Sequence, residues 1–143
     1  VSIATGAAFG AAGALNVNSL TKADGAYLAF DFSQSDYTIN IKNDLIGNVL
    51  GSDFLFSSFD TQELDVEMTL ISFADAANIN ESLKSLNGKT FEYVDAKTAA
   101  KYNGTFSIDG SNFNVTFEVP EPATWAAIFG ALALAFAIYR RRK

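Results

Sequence analysis

The sequence predicts a mainly β protein: a small antiparallel β-sandwich-like domain with one covering helix, followed by a single C-terminal transmembrane helix. Short stretches of alternating apolar and polar residues recur between turn residues, and only one stretch has helical spacing. The chain has 143 residues, of which 49% are hydrophobic, so it is long enough for one domain with a real core. The transmembrane helix is predicted from a long apolar segment near the C-terminus.

The first strands are predicted at 26–32 and 37–41, where apolar and polar residues alternate. Residues 45–59 are mixed because two glycines interrupt them. The clearest strand is 63–73, which has one apolar side (Leu64, Val66, Met68, Leu70) and one polar side (Glu63, Asp65, Glu67, Thr69). One buried and one wet face is typical of an antiparallel sheet.

One helix is predicted after this strand. Ser72-Phe73-Ala74-Asp75 fits a capping box, and apolar residues at helical spacing follow: Phe73, Ala76, Ile79, Leu83 and Leu86. Asn87-Gly88 is expected to end it. The domain should then close with a strand at 90–94, a short helical turn within 95–102, and a hairpin.

The hairpin strands, 105–108 and 113–119, flank the turn-forming residues Asp109-Gly110-Ser111-Asn112. No internal repeat is visible in this part of the chain. We therefore divide the sequence into an apolar N-terminal segment at 1–15, a β-rich domain at 16–118 and a C-terminal tail at 119–143.

Composition excludes several kinds of chemistry. The chain has no Cys and no His, which removes thiolate nucleophiles, Cys- or His-ligated zinc and His-dependent triads. The formal net charge is −6 although the last four residues are basic, so the rest of the chain is strongly acidic. An acidic body repels nucleic acid and anionic membrane surfaces, so neither is expected as its partner. No cofactor is predicted.

A carboxylate-only mechanism or a Ser-Lys pair remains, and the carboxylates cluster at Asp53, Asp60, Glu63, Asp65 and Glu67. Two carboxylates across a cleft could serve a glycosidase, and several together could bind Ca²⁺. The simpler interpretation is the solvated face of an amphipathic strand, and we predict neither an enzyme nor a metal site. A polysaccharide site remains an alternative, with rings supplied by four tyrosines: Tyr27, Tyr37, Tyr93 and Tyr102.

The tail has three features in strict order. Val119-Pro120-Glu121-Pro122 cannot continue a β-ladder, because proline lacks the backbone donor. The uncharged residues 123–139 follow, a helix of roughly 25 Å, with Trp125 and Tyr139 near its ends as membrane-interface anchors. A basic cluster ends the chain and is expected to stay cytoplasmic: Arg140, Arg141, Arg142 and Lys143.

This tail resembles the PEP-CTERM sorting domain of Gram-negative exported proteins. The resemblance implies that an exosortase acts near Pro120, Glu121 and Pro122, after an inner-membrane intermediate, and releases the domain at 16–118 to the cell surface or extracellular matrix. It also implies a host that makes exopolysaccharide. The alternative is a plain single-pass membrane anchor, in which the prolines only form a hinge.

The N-terminal segment, 1–15, is uncharged and rich in Ala and Gly. It resembles the end of a secretory signal peptide, with Ala8-Phe9-Gly10 as a small-x-small cleavage site, and would then lie outside the fold. The alternative is an apolar N-terminal arm. For the whole protein we expect a structural or self-assembling component of the envelope or biofilm matrix, a homo-oligomer or filament; the alternative is an exopolysaccharide-binding module.

Overall fold

The computed structural model describes residues 1–10 and 14–119, except the side chain of Gln62. This part of the chain is mainly β with one α-helix, as predicted. The strands are β1 (Ser2–Ile3), β2 (Ala8–Gly10), β3 (Leu15–Val17), β4 (Leu20–Lys22), β5 (Tyr27–Asp31), β6 (Ile39–Ile41), β7 (Leu45–Ile46), β8 (Phe54–Ser57), β9 (Glu67–Phe73), β10 (Thr90–Val94), β11 (Lys101–Asp109) and β12 (Asn112–Glu118); the helix is α1 (Glu81–Leu86).

The first nine strands form a three-sided parallel coil. Its sides are the strand stacks β1-β4-β7, β2-β5-β8 and β3-β6-β9, and every pair within them is parallel. Each turn of the chain adds one strand to each side. The first turn is therefore β1 to β3, the second β4 to β6 and the third β7 to β9.

Strands β9 to β12 form an antiparallel extension of one side. β9 pairs with β12, β12 with β11 and β11 with β10, which gives a six-stranded sheet in the order β10-β11-β12-β9-β6-β3. The predicted strand at 90–94 and the hairpin are confirmed, and Gly110 adopts a φ of 59° in the two-residue loop. The helical turn expected within 95–102 is wrong in its second half, because β11 begins at Lys101.

The antiparallel sandwich prediction needs correction in the coil. Alternating apolar and polar residues show that a strand has one buried face, but they do not reveal the direction of its neighbour. The coil satisfies the same pattern with parallel neighbours, each reached by going once around the three sides. The prediction that two sheets face each other is retained, since rings from β8, and Phe32 directly after β5, meet rings from β10 to β12, for example Phe54 and Phe106 at 5.0 Å.

An internal repeat marks the first two turns. Ala4-Thr5-Gly6-Ala7 and Ala23-Asp24-Gly25-Ala26 both close a turn by an N–H···O bond between their last and first residues, at 3.0 and 3.1 Å. Both glycines have positive φ, 80° and 77°. The two turns lie on each other, because the Gly6 N–H donates to the Gly25 carbonyl at 3.0 Å. Residues 1–10 pair with the second turn and Leu15 pairs with β6, so the described residues of the 1–15 segment form part of the fold here; the signal-peptide interpretation stays a prediction.

The core combines aliphatic and aromatic side chains, and its aromatic part lies between the coil and the antiparallel extension. Its largest fully buried side chains include Phe30, Phe106, Phe113 and Phe117. Phe56, on β8, stacks on Phe91 of β10 at 5.7 Å between ring centres. These contacts hold the extension against the coil, since apolar area removed from water is the main stabilising term.

One ion pair is buried inside the coil. The Lys22 Nζ lies 2.7 Å from Asp53 Oδ2, and their side chains are 0% and 8% exposed. Lys22 occupies the inward position that Ile3 holds in the first turn, and its ammonium also donates to the Asn48 carbonyl at 3.0 Å. The pair thus connects the second turn to the third.

Helix α1 lies at the end of the third turn. Its N-cap is Asn80, not the predicted Ser72-Phe73-Ala74-Asp75 box, because β9 continues to Phe73 and a short 3-10 helix occupies Ala76–Asn78. Leu83 is fully buried, as the helical spacing predicted. The predicted transmembrane helix, 123–139, lies outside the described residues. Within residues 1–10 and 14–119, no helix is long and apolar enough to span a bilayer.

Candidate functional site

A cleft of about 660 Å³ opens where three connections meet. These are the residues after β5, the segment after β8, and the loop between β10 and β11. The lining combines aromatic rings (Phe32, Phe59, Tyr102), hydroxyl groups (Ser33, Ser58, Thr61, Thr98) and charged groups (Asp60, Glu63, Asp95, Lys97). A second groove of about 410 Å³, between β8 and β10, also combines aromatic rings with one carboxylate, that of Glu92.

The aromatic wall of the cleft is anchored in the core. The Phe59 ring centre lies 4.8 Å from that of Tyr102 and 5.7 Å from that of Tyr93. Tyr102 lines the cleft although it is only 7% exposed. Burial, followed by the charge of Asp95, raises the pKa of Tyr93 above its ordinary value. The Tyr93 hydroxyl therefore stays protonated at neutral pH.

Glu63 is the carboxylate most affected by the cleft. Burial raises its pKa, the hydrogen bond from the Asp60 backbone lowers it, and the charge of Asp60 raises it further. That hydrogen bond is long, at 3.5 Å between the Asp60 nitrogen and Glu63 Oε2. Tyr37 lies near Glu63, and burial together with the Glu63 charge raises the Tyr37 pKa. A hydrogen-bond donor entering the cleft would stabilise the ionised Glu63.

Asp95 has a structural role at the rim. Its Oδ1 accepts from the Lys97 backbone at 3.0 Å and its Oδ2 accepts from the Thr98 hydroxyl at 3.1 Å. The backbone groups of Asp95 also bond Ala99 and Ala100. These contacts fix the loop and leave the Lys97 side chain, at the cleft, on an ordered support.

Among residues 1–10 and 14–119, three residues other than glycine have positive φ, and all lie in the segments that border the cleft. They are Ser58 at 58°, Asp65 at 61° and Ala99 at 57°. A β-carbon in this region costs about 1–2 kcal/mol, and such positions concentrate at functional sites. Ala99 is the most informative, because alanine has no polar group to compensate locally.

The predicted carboxylate cluster is divided by the structure. Asp60 and Glu63 share the cleft, whereas Asp53 is buried against Lys22 inside the coil. Asp65 is exposed, and Glu67 accepts a hydrogen bond from Asn114 on the outer face of the sheet. Within the described residues, no three acidic side chains are placed to hold a metal ion.

The four predicted tyrosines are also separated. Tyr102 lines the cleft and Tyr93 lies beneath it, while Tyr37 contacts Phe32 edge-on at 5.0 Å. Tyr27 is on β5, away from the cleft. Phe32, Phe59 and Lys97 were not predicted as site residues, because only the fold brings their three connections together. The predicted tail residues, Pro120 to Lys143, lie outside the described residues.

No family model, curated protein or solved structure that was compared matches this chain. The resemblance of the tail to the PEP-CTERM signal therefore rests on its own residues and their order. The chemistry of the cleft likewise rests on its geometry. Flat rings beside carboxylate and hydroxyl groups suit a polyhydroxylated ligand, whose apolar faces can stack while its hydroxyls form hydrogen bonds.

Proposed function

We propose that this protein is exported and sorted through its C-terminal tail, and that its β-rich body is a structural, self-assembling component of the cell surface or extracellular matrix. The observation that carries the proposal is the order of the tail: a Pro-Glu-Pro hinge, 17 uncharged residues, and four basic residues at the end. An exosortase would act at the hinge and release the body.

The physical properties of the tail suit a transient membrane stop. Its apolar stretch is at the short end of membrane-spanning lengths, and the basic cluster favours a cytoplasmic C-terminus. The body then emerges on the opposite side, beginning immediately before the hinge. β12 ends at Glu118, so only Val119 separates the folded sheet from Pro120. The hinge therefore keeps a cutting enzyme close to the bilayer.

The form of the body supports a structural role. A coil of stacked turns is a quasi-one-dimensional architecture whose end strands leave unpaired backbone groups. Those groups can pair with another chain. A structural protein of this kind needs only to fold, to reach the outside of the cell and to associate with other copies. An acidic body with a packed core of aliphatic and aromatic side chains meets the first of these requirements.

Fractionation of expressing cells tests the sorting proposal. The Glu121→Gln variant, combined with Pro120→Ala and Pro122→Ala, should keep its tail and remain in the inner membrane. Glu81→Gln, on exposed helix α1, makes the same carboxylate-to-amide change outside the motif and should be sorted normally. Normal processing of the triple variant would contradict the exosortase proposal and favour a plain membrane anchor.

A second candidate function is glycan binding, which the ring and carboxylate lining of the cleft favours. Because the cleft is acidic, we expect chitosan oligosaccharides, which are cationic, to bind better than neutral cello-oligosaccharides, and alginate oligosaccharides not to bind. Glu63→Gln and Tyr102→Phe should weaken binding in calorimetric titration, whereas Glu81→Gln and Tyr27→Phe should not. Equal affinity in all four variants would exclude the cleft.

A further inference from the structure

We propose that a shallow groove on the side of the coil formed by β3, β6 and β9 binds a linear glycan with widely spaced carboxylate groups, one of which pairs with Lys42. The groove measures about 330 Å³ and shares no lining residue with the cleft. A glycan site here goes beyond self-assembly, and it rests on the proposed export only for its biological setting.

The groove is produced by the register of three parallel strands. Asn16 lies beside Asn40 and Asn40 beside Ser72, at the usual strand spacing of about 4.8 Å. Two residues further along each turn, a second row of exposed side chains lines the groove: Asn18, Lys42 and Ala74. Two residues of extended chain span about 7 Å, so the two rows run side by side across the strands.

The floor between the rows is preformed. It consists of Val17, Ile41 and Phe73, and the last two are only 1% and 2% exposed because their side chains turn into the core. The Lys42 N–H donates to the Val17 carbonyl at 2.9 Å, and the Ala74 N–H donates to the Ile41 carbonyl at 3.1 Å. A ligand therefore meets backbone that is already hydrogen-bonded, which lowers the entropic cost of binding.

The lining is positively charged although the body is acidic. Residues 1–119 carry 15 acidic and 6 basic side chains, but none of the nine lining residues is acidic and Lys42 is basic. Lys42 is exposed and forms no ion pair with a described residue, whereas Lys22, Lys84 and Lys101 each do. The Lys42 ammonium is therefore open to an anionic group of a ligand.

The amides of the groove suit hydroxyl groups. The side chains of Asn16, Asn18 and Asn40 form no hydrogen bond with another described residue. The Ser72 hydroxyl donates to Asn112 Oδ1 at 2.9 Å and still has acceptor capacity. An amide offers donors and an acceptor together, as a sugar hydroxyl does, so the two rows match a polyhydroxylated chain.

One ammonium among neutral amides sets the charge density of the ligand. A glycan with a single carboxylate in each group of several sugars places its charge on Lys42 and its hydroxyls on the amides. Alginate carries a carboxylate on every sugar, so the acidic surface around the groove repels it. The first and third strands lie about 10 Å apart, so only an extended ligand contacts all three turns.

Calorimetric titration with oligosaccharides of deacylated gellan, a linear glycan with one glucuronate in each repeat, tests the proposal on the intact chain in mild detergent. We expect saturable binding that is lost when the carboxyl groups of the oligosaccharides are reduced to alcohols. Free glucuronate and inorganic phosphate should bind much more weakly, because they contact a single turn. No binding of gellan, or equal binding of its reduced form, would overturn the proposal. Phosphate or glucuronate bound as tightly as gellan would also overturn it, since the groove would then be a simple anion site.

Lys42 carries the largest expected effect. Lys42→Gln should lower the affinity for gellan oligosaccharides at least about tenfold, the loss of one charge-assisted hydrogen bond, while Lys42→Arg should retain it. Lys89→Gln is the matched control, because Lys89 is also exposed without an ion pair to a described residue and lies outside the groove. Equal losses in Lys42→Gln and Lys89→Gln would show an effect of net charge alone and would overturn the site.

The amide row gives a second test. Asn40→Ala, in the middle of the row, should weaken binding several-fold, whereas Asn103→Ala, exposed on β11, should not. Glu63→Gln, in the cleft, should leave the affinity for gellan unchanged. Circular dichroism should show the same fold in all variants. Loss of gellan binding in Glu63→Gln but not in Lys42→Gln would place the ligand in the cleft and overturn the proposal.

Failure of this inference can be distinguished from failure of the proposed function. A body that is released at the Pro-Glu-Pro hinge but does not bind gellan oligosaccharides would refute the groove alone. A chain that binds them through Lys42 but keeps its tail in the native host would refute sorting alone.

Discussion

The parallel coil and the antiparallel extension are stabilised in different ways. In the coil, the turns approach closely through small residues and backbone bonds, and a buried ion pair links the second turn to the third. In the extension, large rings from β10 to β12 fill the space against β8. The coil, which also contains fully buried side chains such as Leu20 and Phe30, should therefore be sensitive to backbone geometry and charge in addition to side-chain volume, and the extension mainly to side-chain volume.

The largest effect is expected from the aromatic core. Phe113→Ala removes a fully buried ring next to Phe54 and Phe106 and should lower the free energy of unfolding by about 3–5 kcal/mol. Phe9→Ala, in the first turn, removes a half-buried ring and should cost clearly less. Urea denaturation of both variants measures the difference, and equal losses would mean that the half-buried Phe9 ring contributes as much as a fully buried one.

The buried ion pair should give a loss of similar or slightly smaller size. Lys22→Met leaves the Asp53 carboxylate buried without its partner, and a broken buried pair costs about 3–5 kcal/mol. The double variant Lys22→Met with Asp53→Leu should recover much of this loss, because no charge then remains in the interior. A double-mutant cycle from thermal unfolding gives the coupling; strict additivity of the two losses would contradict a direct interaction.

Two glycines test how closely the turns of the coil approach. A β-carbon on Gly10 would lie 2.1 Å from the Ala29 carbonyl oxygen, while one on Gly6 would meet no atom within 4 Å, although both residues have positive φ. Gly6→Ala should therefore cost only the conformational term, about 1–2 kcal/mol. Gly10→Ala should cost more, because the second turn has to move. Equal losses would mean that the turns are not closely stacked.

The smallest effect is a pH-dependent gain at the cleft. Because the pKa of Glu63 is raised in the fold, its contribution to stability is fully present below the ordinary carboxyl pKa and is lost as pH rises through the higher value. Glu63→Gln should therefore raise the melting temperature slightly at pH 7 and have less effect near pH 4. Glu81→Gln removes the ion pair with Lys84 and should not raise it. A melting temperature lowered by Glu63→Gln at pH 7 would show that the carboxylate is stabilised.

The difference between the coil and the antiparallel extension also explains which elements the sequence could predict. The final hairpin depends on neighbours a few residues apart, so Asp109-Gly110-Ser111-Asn112 and the alternation after it sufficed. The coil depends on contacts between residues about one turn apart, such as Ala8 with Tyr27 and Leu28 with Phe54. Its sequence signal was the Ala-x-Gly-Ala repeat, which was hidden because the N-terminal segment resembled a signal peptide.

The candidate cleft could be predicted only in part. Glu63 and Tyr102 belonged to residue sets singled out by their chemistry, but their neighbours Phe32 and Phe59 are ordinary apolar residues in the sequence. Asp53 shows the limit most clearly, since a carboxylate close to the others along the chain is buried against Lys22 in the fold. The alternating pattern also placed Val66 on the buried side of the strand. Val66 is instead 50% exposed, because regular strand pairing begins only at Glu67.

The central claim is that the folded body is delivered outside the cell and its tail is removed. The most direct test is the intact mass, with terminal peptide mapping, of the protein recovered from the surface or matrix of its native host. We expect a chain that ends near Pro120 to Pro122 and retains the first turn. A mass that includes every residue through Lys143 would contradict sorting and leave a membrane-anchored domain; an N-terminus beyond Gly10 would show that β1 and β2 are absent from the working molecule.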